Sequence, residues 1–142
     1  MTLSLDAANA IVAGALRRAA ELGCEPLTVA VLDPGGHVVA LARQDGSGIL
    51  RPQIATGKAW GALGMGFGTR ELARRAQAVP HFVAALTAAS EGRIVPVPGG
   101  VLVRGPDGAV LGAVGISGDT SERDEDCAIH GITAAGLEAD PG

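Results

Sequence analysis

The sequence predicts an α+β domain in which an antiparallel sheet of about five strands is flanked by helices, with long helices near both ends. Residues 27–42 and 101–116 share one pattern, in which two apolar runs are joined by a short segment rich in Pro and Gly. That pattern is typical of a β-hairpin, so the two stretches supply at least four strands. Alanine-rich segments with apolar residues at helical spacing lie before, between and after the hairpins.

Length and composition are those of one compact unit. The chain has 142 residues, of which 47% are hydrophobic, and this is enough to bury a core as one domain over residues 1–142. Aromatic residues are scarce, since Trp60, Phe67 and Phe82 are the only ones and Tyr is absent. We therefore expect a core of Val, Leu, Ile and Ala in which backbones approach closely.

Charge and targeting patterns narrow the class of partner. The formal net charge of −4 argues against nucleic acid, because phosphate binding needs a basic face. The sequence shows no signal-peptide pattern and no run of about 18 apolar residues, so we expect a cytoplasmic protein that does not enter a membrane. Cys24 and Cys127 lack the spacing of a metal or redox motif and are predicted to be buried free thiols.

The first element is predicted to be an amphipathic helix that begins after Ser4 and ends at Gly23. Ser4 can cap the helix with its hydroxyl group, and Gly23 can adopt the left-handed conformation that ends it. The apolar positions of this helix recur every three or four residues: Ile11, Val12, Ala15, Leu16, Ala19 and Leu22.

Two hairpins supply the strands. The first joins 27–32 to 38–42 through the turn Asp33-Pro34-Gly35-Gly36, and the second joins 101–104 to 109–116 through the similar turn at 105–108. Pro presets the first central position of such a turn, and Gly accepts the positive φ angle. The likeness of the two hairpins has two explanations, an internal duplication or the same turn chemistry arising twice.

Residues 49–90 are predicted to form two or three helices. The first begins near Pro52 and continues through Lys58. Gly57, Gly61 and Gly64 lie on one face of it, although glycine destabilises a helix interior. Their presence indicates a smooth groove that lets another backbone or a ligand approach the helix closely. A short helix that begins at Pro80 is predicted to cover one face of the sheet. Its apolar residues are Phe82, Val83 and Leu86.

The last helix is predicted to begin after residues 119–121, where a hydroxyl group can cap it. Its first turns carry four acidic residues, namely Glu122, Asp124, Glu125 and Asp126. Acidic groups at this end stabilise the helix dipole, and that explanation suffices for most of them. The alternative is that Asp124 or Glu125 faces a pocket or a partner subunit.

These motifs together resemble the GlcG/HbpS family, which is similar to the C-terminal domain of PduO-type corrinoid adenosyltransferases. The resemblance covers nearly the whole chain and is carried by Lys58, the segments 96–100 and 112–120, and Asp124-Glu125 with Cys127. It implies a profilin-like fold that assembles into homo-oligomers. It also implies a small-ligand-binding domain, with haem or another tetrapyrrole as the ligand. The many Gly and Ala residues and possible free sheet edges leave a further alternative open, an oligomeric accessory or regulatory subunit.

The resemblance also implies a set of site residues around one cleft. Carried over by position, they are Lys58, Pro98, Gly99, Gly100, Gly118, Asp119 and Thr120. Haem iron needs a side-chain ligand, and besides cysteine and methionine this chain offers only His37, His81 and His130. His81, at a helix start, is the most suitable of the three. No two histidines show the spacing of a dedicated metal site, so none is predicted.

An enzymatic alternative remains open at the same residues. Lys58 beside Asp119 can act as a base or a Schiff-base nucleophile on a small hydroxy- or oxo-acid, with backbone N–H groups at Gly99 and Gly100 holding an oxyanion. Arg51 and Arg70 would add affinity for an anion. The structural alternative is that Lys58 forms an ion pair that ties its helix to the acidic last helix.

Overall fold

The protein is described by a computed structural model that covers residues 2–142. Within that range the chain forms five helices and five strands, which agrees with the predicted sheet of about five strands and the two or three helices predicted in residues 49–90. In chain order they are α1 (Leu5–Leu22), β1 (Thr28–Leu32), β2 (Val38–Arg43), α2 (Arg51–Met65), α3 (Thr69–Ala78), α4 (Pro80–Ala89), β3 (Gly100–Arg104), β4 (Val110–Ser117), α5 (Ser121–Ala134) and β5 (Glu138–Asp140).

The strands form one antiparallel sheet in the order β2-β1-β4-β3-β5. Both predicted hairpins are confirmed, as the pairs β1–β2 and β3–β4. The central pairing joins the two hairpins, with Thr28 opposite Ser117 and Val29 opposite Ile116. Because β1 and β4 lie in the middle of the sheet, their residues are buried on both faces.

The two faces of the sheet are covered by different helices. α1 and α5 pack together on one face over Val29, Val101 and Val114. α2 packs on the other face, where the core contains Leu102 and Ala113. Alternation along each strand sends neighbouring side chains to opposite faces, which is why one strand serves both cores.

The helix ends follow the caps that the sequence predicts. Ser4 Oγ accepts a hydrogen bond from the Ala7 amide at 3.1 Å, and Gly23 ends α1 at φ +66°. Thr120 Oγ1 accepts from the Arg123 amide at 3.2 Å and so caps α5. This cap fixes the chain corner at residues 118–120 relative to the first turn of α5.

α2 lies unusually close to the sheet because β4 carries a glycine beneath it. A Cβ atom at Gly115 would overlap the Ala55 carbonyl oxygen and lie 2.8 Å from the Ala59 amide nitrogen. No residue with a side chain fits this contact without moving the helix. The close approach brings the fully buried Lys58 over the ends of β3 and β4.

The predicted position of the short fourth helix is wrong. α4 packs on α3 and, within residues 2–142, contacts no strand of the sheet. α2 already covers that face, so α3 and α4 lie outside it around a separate apolar cluster of Leu72, Val83 and Ile94. Phe82, expected to face the sheet, is 48% exposed.

Cys24 and Cys127 are free thiols, as predicted. Cys127 is buried in the layer between α5 and the sheet, and its burial raises the pKa of the thiol to about 12. Cys24 is half-buried rather than buried.

Candidate functional site

Lys58 lies at the centre of the predicted site residues. Its side chain is 2% exposed, although it carries the only lysine ammonium group of the chain. Nζ donates to the Ile116 carbonyl oxygen at 2.8 Å and to Asp124 Oδ2 at 3.1 Å. Lys58 therefore joins α2 to the end of β4 and to the first turn of α5.

Gly99 provides the space for the lysine side chain. A Cβ atom at Gly99 would lie 2.8 Å from Lys58 Nζ, and the backbone there has φ +120°, which residues with side chains rarely adopt. The next residue, Gly100, donates its amide hydrogen to Thr69 Oγ1 at 2.8 Å. This amide is already used inside the protein and is not free to hold an oxyanion.

The sequence analysis predicts that Asp119 lies beside Lys58, and this prediction is wrong. The carboxylate that contacts Lys58 is that of Asp124. Asp119 instead accepts hydrogen bonds from the Glu25 amide at 2.8 Å and the Thr120 amide at 2.7 Å. Asp124 is 1% exposed, and its second oxygen accepts from the Asp119 amide at 3.0 Å. The corner at 118–120 is therefore linked to Lys58 through Asp124.

Burial governs the electrostatics of this pair. Desolvation lowers the pKa of Lys58 and raises the pKa of Asp124, while the attraction between the two groups opposes both shifts. Neither group is open to a ligand in solution. Of the alternatives for Lys58, the geometry favours the ion pair that ties helices together, and it gives the enzymatic alternative no support.

The two arginines expected to bind an anion already have partners in the protein. Arg51 Nη1 donates to the buried Ser117 hydroxyl at 2.9 Å. The Arg70 guanidinium group donates to both carboxylate oxygens of Glu125, at 2.7 to 3.0 Å. Glu125 is 6% exposed, so this acidic residue of α5, like Asp124, serves to hold helices together.

The three histidines lie apart from these residues. His37 follows the β1–β2 turn and packs against Asp33, with Nδ1 3.2 Å from Oδ1. His81 is exposed at the start of α4, which packs on α3 and not on the sheet, and His130 is exposed on α5. The structure therefore does not bring His81 to the residues around Lys58. Among residues 2–142, no three His, Cys, Asp or Glu side chains are grouped as metal ligands.

A cleft that the sequence does not reveal lies along the outer side of α2. It has a volume of about 470 Å³ and separates α2 from the segment that follows α4. We call it the Trp60 cleft. Its lining residues are Leu50, Pro52, Gln53, Ile54, Thr56, Gly57, Trp60, Glu91, Gly92, Arg93 and Val95. Its size is in the range of small-molecule sites, and its walls are largely apolar.

Part of this cleft corresponds to the smooth groove predicted along α2. At Gly57 the groove is filled by the chain itself, because a Cβ atom there would lie 2.5 Å from the Arg93 carbonyl oxygen and 2.8 Å from Val95 Cγ2. Gly64, in contrast, faces open space. The prediction that another backbone approaches this helix closely is confirmed at Gly57.

The cleft carries two charged residues, Arg93 and Glu91, and the positive one stacks on an aromatic ring. Its guanidinium group lies 3.8 Å above the centre of the Trp60 ring. Arg93 and Arg17 are the two arginines that, within residues 2–142, make no hydrogen bond or ion pair with a protein acceptor. The Trp60 ring thus holds the Arg93 donors in place while leaving them free for a ligand.

Residues 3–133 match the family described as haem degrading protein HbpS-like. The chain belongs to this family. Among solved structures, the HbpS-like chain is similar to a PduOC–haem complex, with 29% identity, a TM-score of 0.86 and coverage of 96% of this chain and 97% of that one. It is equally similar to Klebsiella pneumoniae ORFY, with 29% identity, a TM-score of 0.87 and coverage of 96% and 92%.

A longer relative shares the same unit. The HbpS-like chain is 30% identical over 134 residues to the corrinoid adenosyltransferase PduO of Citrobacter freundii. That alignment covers 94% of this chain but only 39% of PduO, so the chain spans less than half the length of this relative. No helix among residues 2–142 combines the length and the apolar character that a bilayer crossing needs.

Proposed function

We propose that this HbpS-like domain binds haem or a related tetrapyrrole in the Trp60 cleft. The observation that carries the proposal is the cleft itself, with its apolar walls and the unpaired guanidinium group of Arg93 at the rim. A tetrapyrrole has a flat apolar ring and carboxylate side chains, which suit these two features. The haem complex of the similar PduOC structure supports the choice of ligand.

The residues of the cleft fit the ring of haem but not its iron. Trp60, Ile54 and Val95 offer apolar contact, and Arg93 offers a bidentate partner for a carboxylate. None of the lining residues is a His, Cys, Met or Tyr, the usual side chains that bind haem iron. His81, the ligand that the sequence favours, does not line the cleft.

The proposal is tested by titrating the protein with haemin and following Trp60 fluorescence together with the Soret band. Trp60 is the only tryptophan, so saturable quenching of its fluorescence reports binding, and a substitution inside the cleft then locates the site. Thr56→Phe places a ring in the cleft and is expected to weaken haemin binding by about tenfold or more, which corresponds to about 1.4 kcal/mol.

Ala13→Phe is the matched control, because Ala13 is an exposed position of α1 and α1 does not contact α2. This variant is expected to bind haemin like the wild type, and so is His81→Ala. Absorbance changes that do not saturate, or saturable binding that Thr56→Phe leaves intact, would contradict the proposal.

We also propose that the domain self-associates, in keeping with a role as an accessory or regulatory subunit. β2 forms one edge of the sheet, and an exposed strand edge is open to pairing. Close to this edge in sequence, Ile49 is 94% exposed and Leu50 is 62% exposed. Two neighbouring large apolar side chains in water favour a protein contact.

A further inference from the structure

We infer that the Trp60 cleft recognises the ring face and the carboxylate of its ligand, without a bond to any metal in the ring. A metal-free porphyrin then binds as tightly as haemin does. This inference rests on the proposed function and specifies its ligand class, which is a flat, apolar, carboxylate-bearing macrocycle.

The first step is the chemistry of the lining. The cleft contains two charged residues, Arg93 and Glu91, and its other members are apolar, glycine or uncharged polar residues. A guanidinium group cannot donate electron pairs to a metal at ordinary pH, and a carboxylate is not among the usual side chains that bind haem iron. The apolar walls stabilise any flat ring of suitable size through burial, whether or not a metal occupies its centre.

The second step is that, within residues 2–142, the side chains usually able to bind haem iron lie outside the Trp60 cleft. Met65 packs against the cluster of Leu72, Val83 and Ile94. Cys127 is buried in the opposite layer, between α5 and the sheet, and the half-buried Cys24 does not line the cleft. The three histidines lie on the β1–β2 turn, on α4 and on α5, and none of them lines the cleft.

The third step is the position of Arg93. Stacking on the Trp60 ring restricts the arginine before a ligand arrives, so less side-chain freedom is lost when an ion pair forms. Arg17 is equally exposed and equally without a protein acceptor, but it lies on α1 and does not line the Trp60 cleft. The free N–H donors of Arg93 are therefore placed to bind a ligand carboxylate at the rim of the Trp60 cleft.

The test measures the affinities of haemin, zinc protoporphyrin and metal-free protoporphyrin IX from the quenching of Trp60 fluorescence. We expect the three affinities to agree within about threefold, and Arg93→Ala to lower all three by about five- to tenfold. Arg17→Ala, which removes the other unpaired guanidinium group, is expected to leave them unchanged.

The outcomes separate the two proposals. If haemin saturates the protein but protoporphyrin IX binds about tenfold or more weakly, the metal contributes a bond and this inference is overturned, while the proposed function stands. An Arg93→Ala variant that binds all three probes like the wild type also overturns it. If none of the probes binds saturably, the proposed function itself fails.

Discussion

Breaking the Lys58–Asp124 pair from either side is predicted to destabilise the fold strongly. The two residues are 2% and 1% exposed, so removing one leaves the other as a buried charge without its partner. Such a change costs about 3–5 kcal/mol of unfolding free energy. Lys58→Met keeps the volume of the lysine stem, and Asp124→Asn keeps an acceptor for the Asp119 amide.

The double variant Lys58→Met/Asp124→Asn is predicted to be more stable than either single variant, because neither buried charge remains. The expected coupling between the two sites is about 2 kcal/mol. Arg74→Met is the control, since it breaks a hydrogen-bonded ion pair with Glu71 whose arginine is 67% exposed. Exposed ion pairs contribute little to stability, so this variant is expected to have the same free energy of unfolding as the wild type.

The two single variants are predicted to respond to pH in opposite directions. Burial raises the pKa of Asp124, so in the Lys58→Met variant the Asp124 carboxyl group binds a proton more tightly in the folded state than in the unfolded chain. That variant therefore regains stability as the pH falls from about 7 to about 4. Burial lowers the pKa of Lys58, so Asp124→Asn regains stability as the pH rises from about 7 to about 10.

The assay is urea unfolding at acidic, neutral and alkaline pH, followed by circular dichroism. We expect both single variants to have a lower free energy of unfolding than the wild type at neutral pH. The free energy of Lys58→Met should then rise towards acidic pH, and that of Asp124→Asn should rise towards alkaline pH. Single variants as stable as the wild type, or slopes of the same sign, would refute the argument that this pair is a buried structural tie.

The remaining predictions concern packing and assembly. Gly115→Ala is predicted to lower the unfolding free energy by about 1–3 kcal/mol, because the added methyl group overlaps the Ala55 carbonyl oxygen, and a thermal melt close to that of the wild type would contradict this. Light scattering after size exclusion is expected to show an oligomer that Ile49→Lys weakens, whereas the mass of a single chain at all concentrations would contradict self-association.

Local patterns were sufficient to predict most of the fold. Ser4 and Gly23 delimit α1 because capping depends on neighbouring residues, and the Asp33–Gly36 turn sets the first hairpin for the same reason. The position of α4 was not predictable in this way. Its apolar residues suit the sheet as well as they suit α3, and only the prior occupation of that face by α2 decides between them.

The site was predictable only in part. The proximity of Lys58 to Gly99 and Gly100 followed from a family resemblance, since these positions are about forty residues apart. Asp119 precedes the cap of α5 and binds the Glu25 amide, whereas Asp124 lies in the first turn and binds Lys58. The sequence alone does not show which of the two carboxylates faces Lys58. The Trp60 cleft depends on Arg93 packing over a helix that ends at Met65, and no sequence spacing encodes that contact.

A crystal structure of the protein grown with haemin would show directly whether the Trp60 cleft binds the ring. We expect density for the ring in the Trp60 cleft, with a propionate within hydrogen-bonding distance of the Arg93 guanidinium group. Ordered haemin at another site, with the Trp60 cleft filled only by solvent, would contradict it.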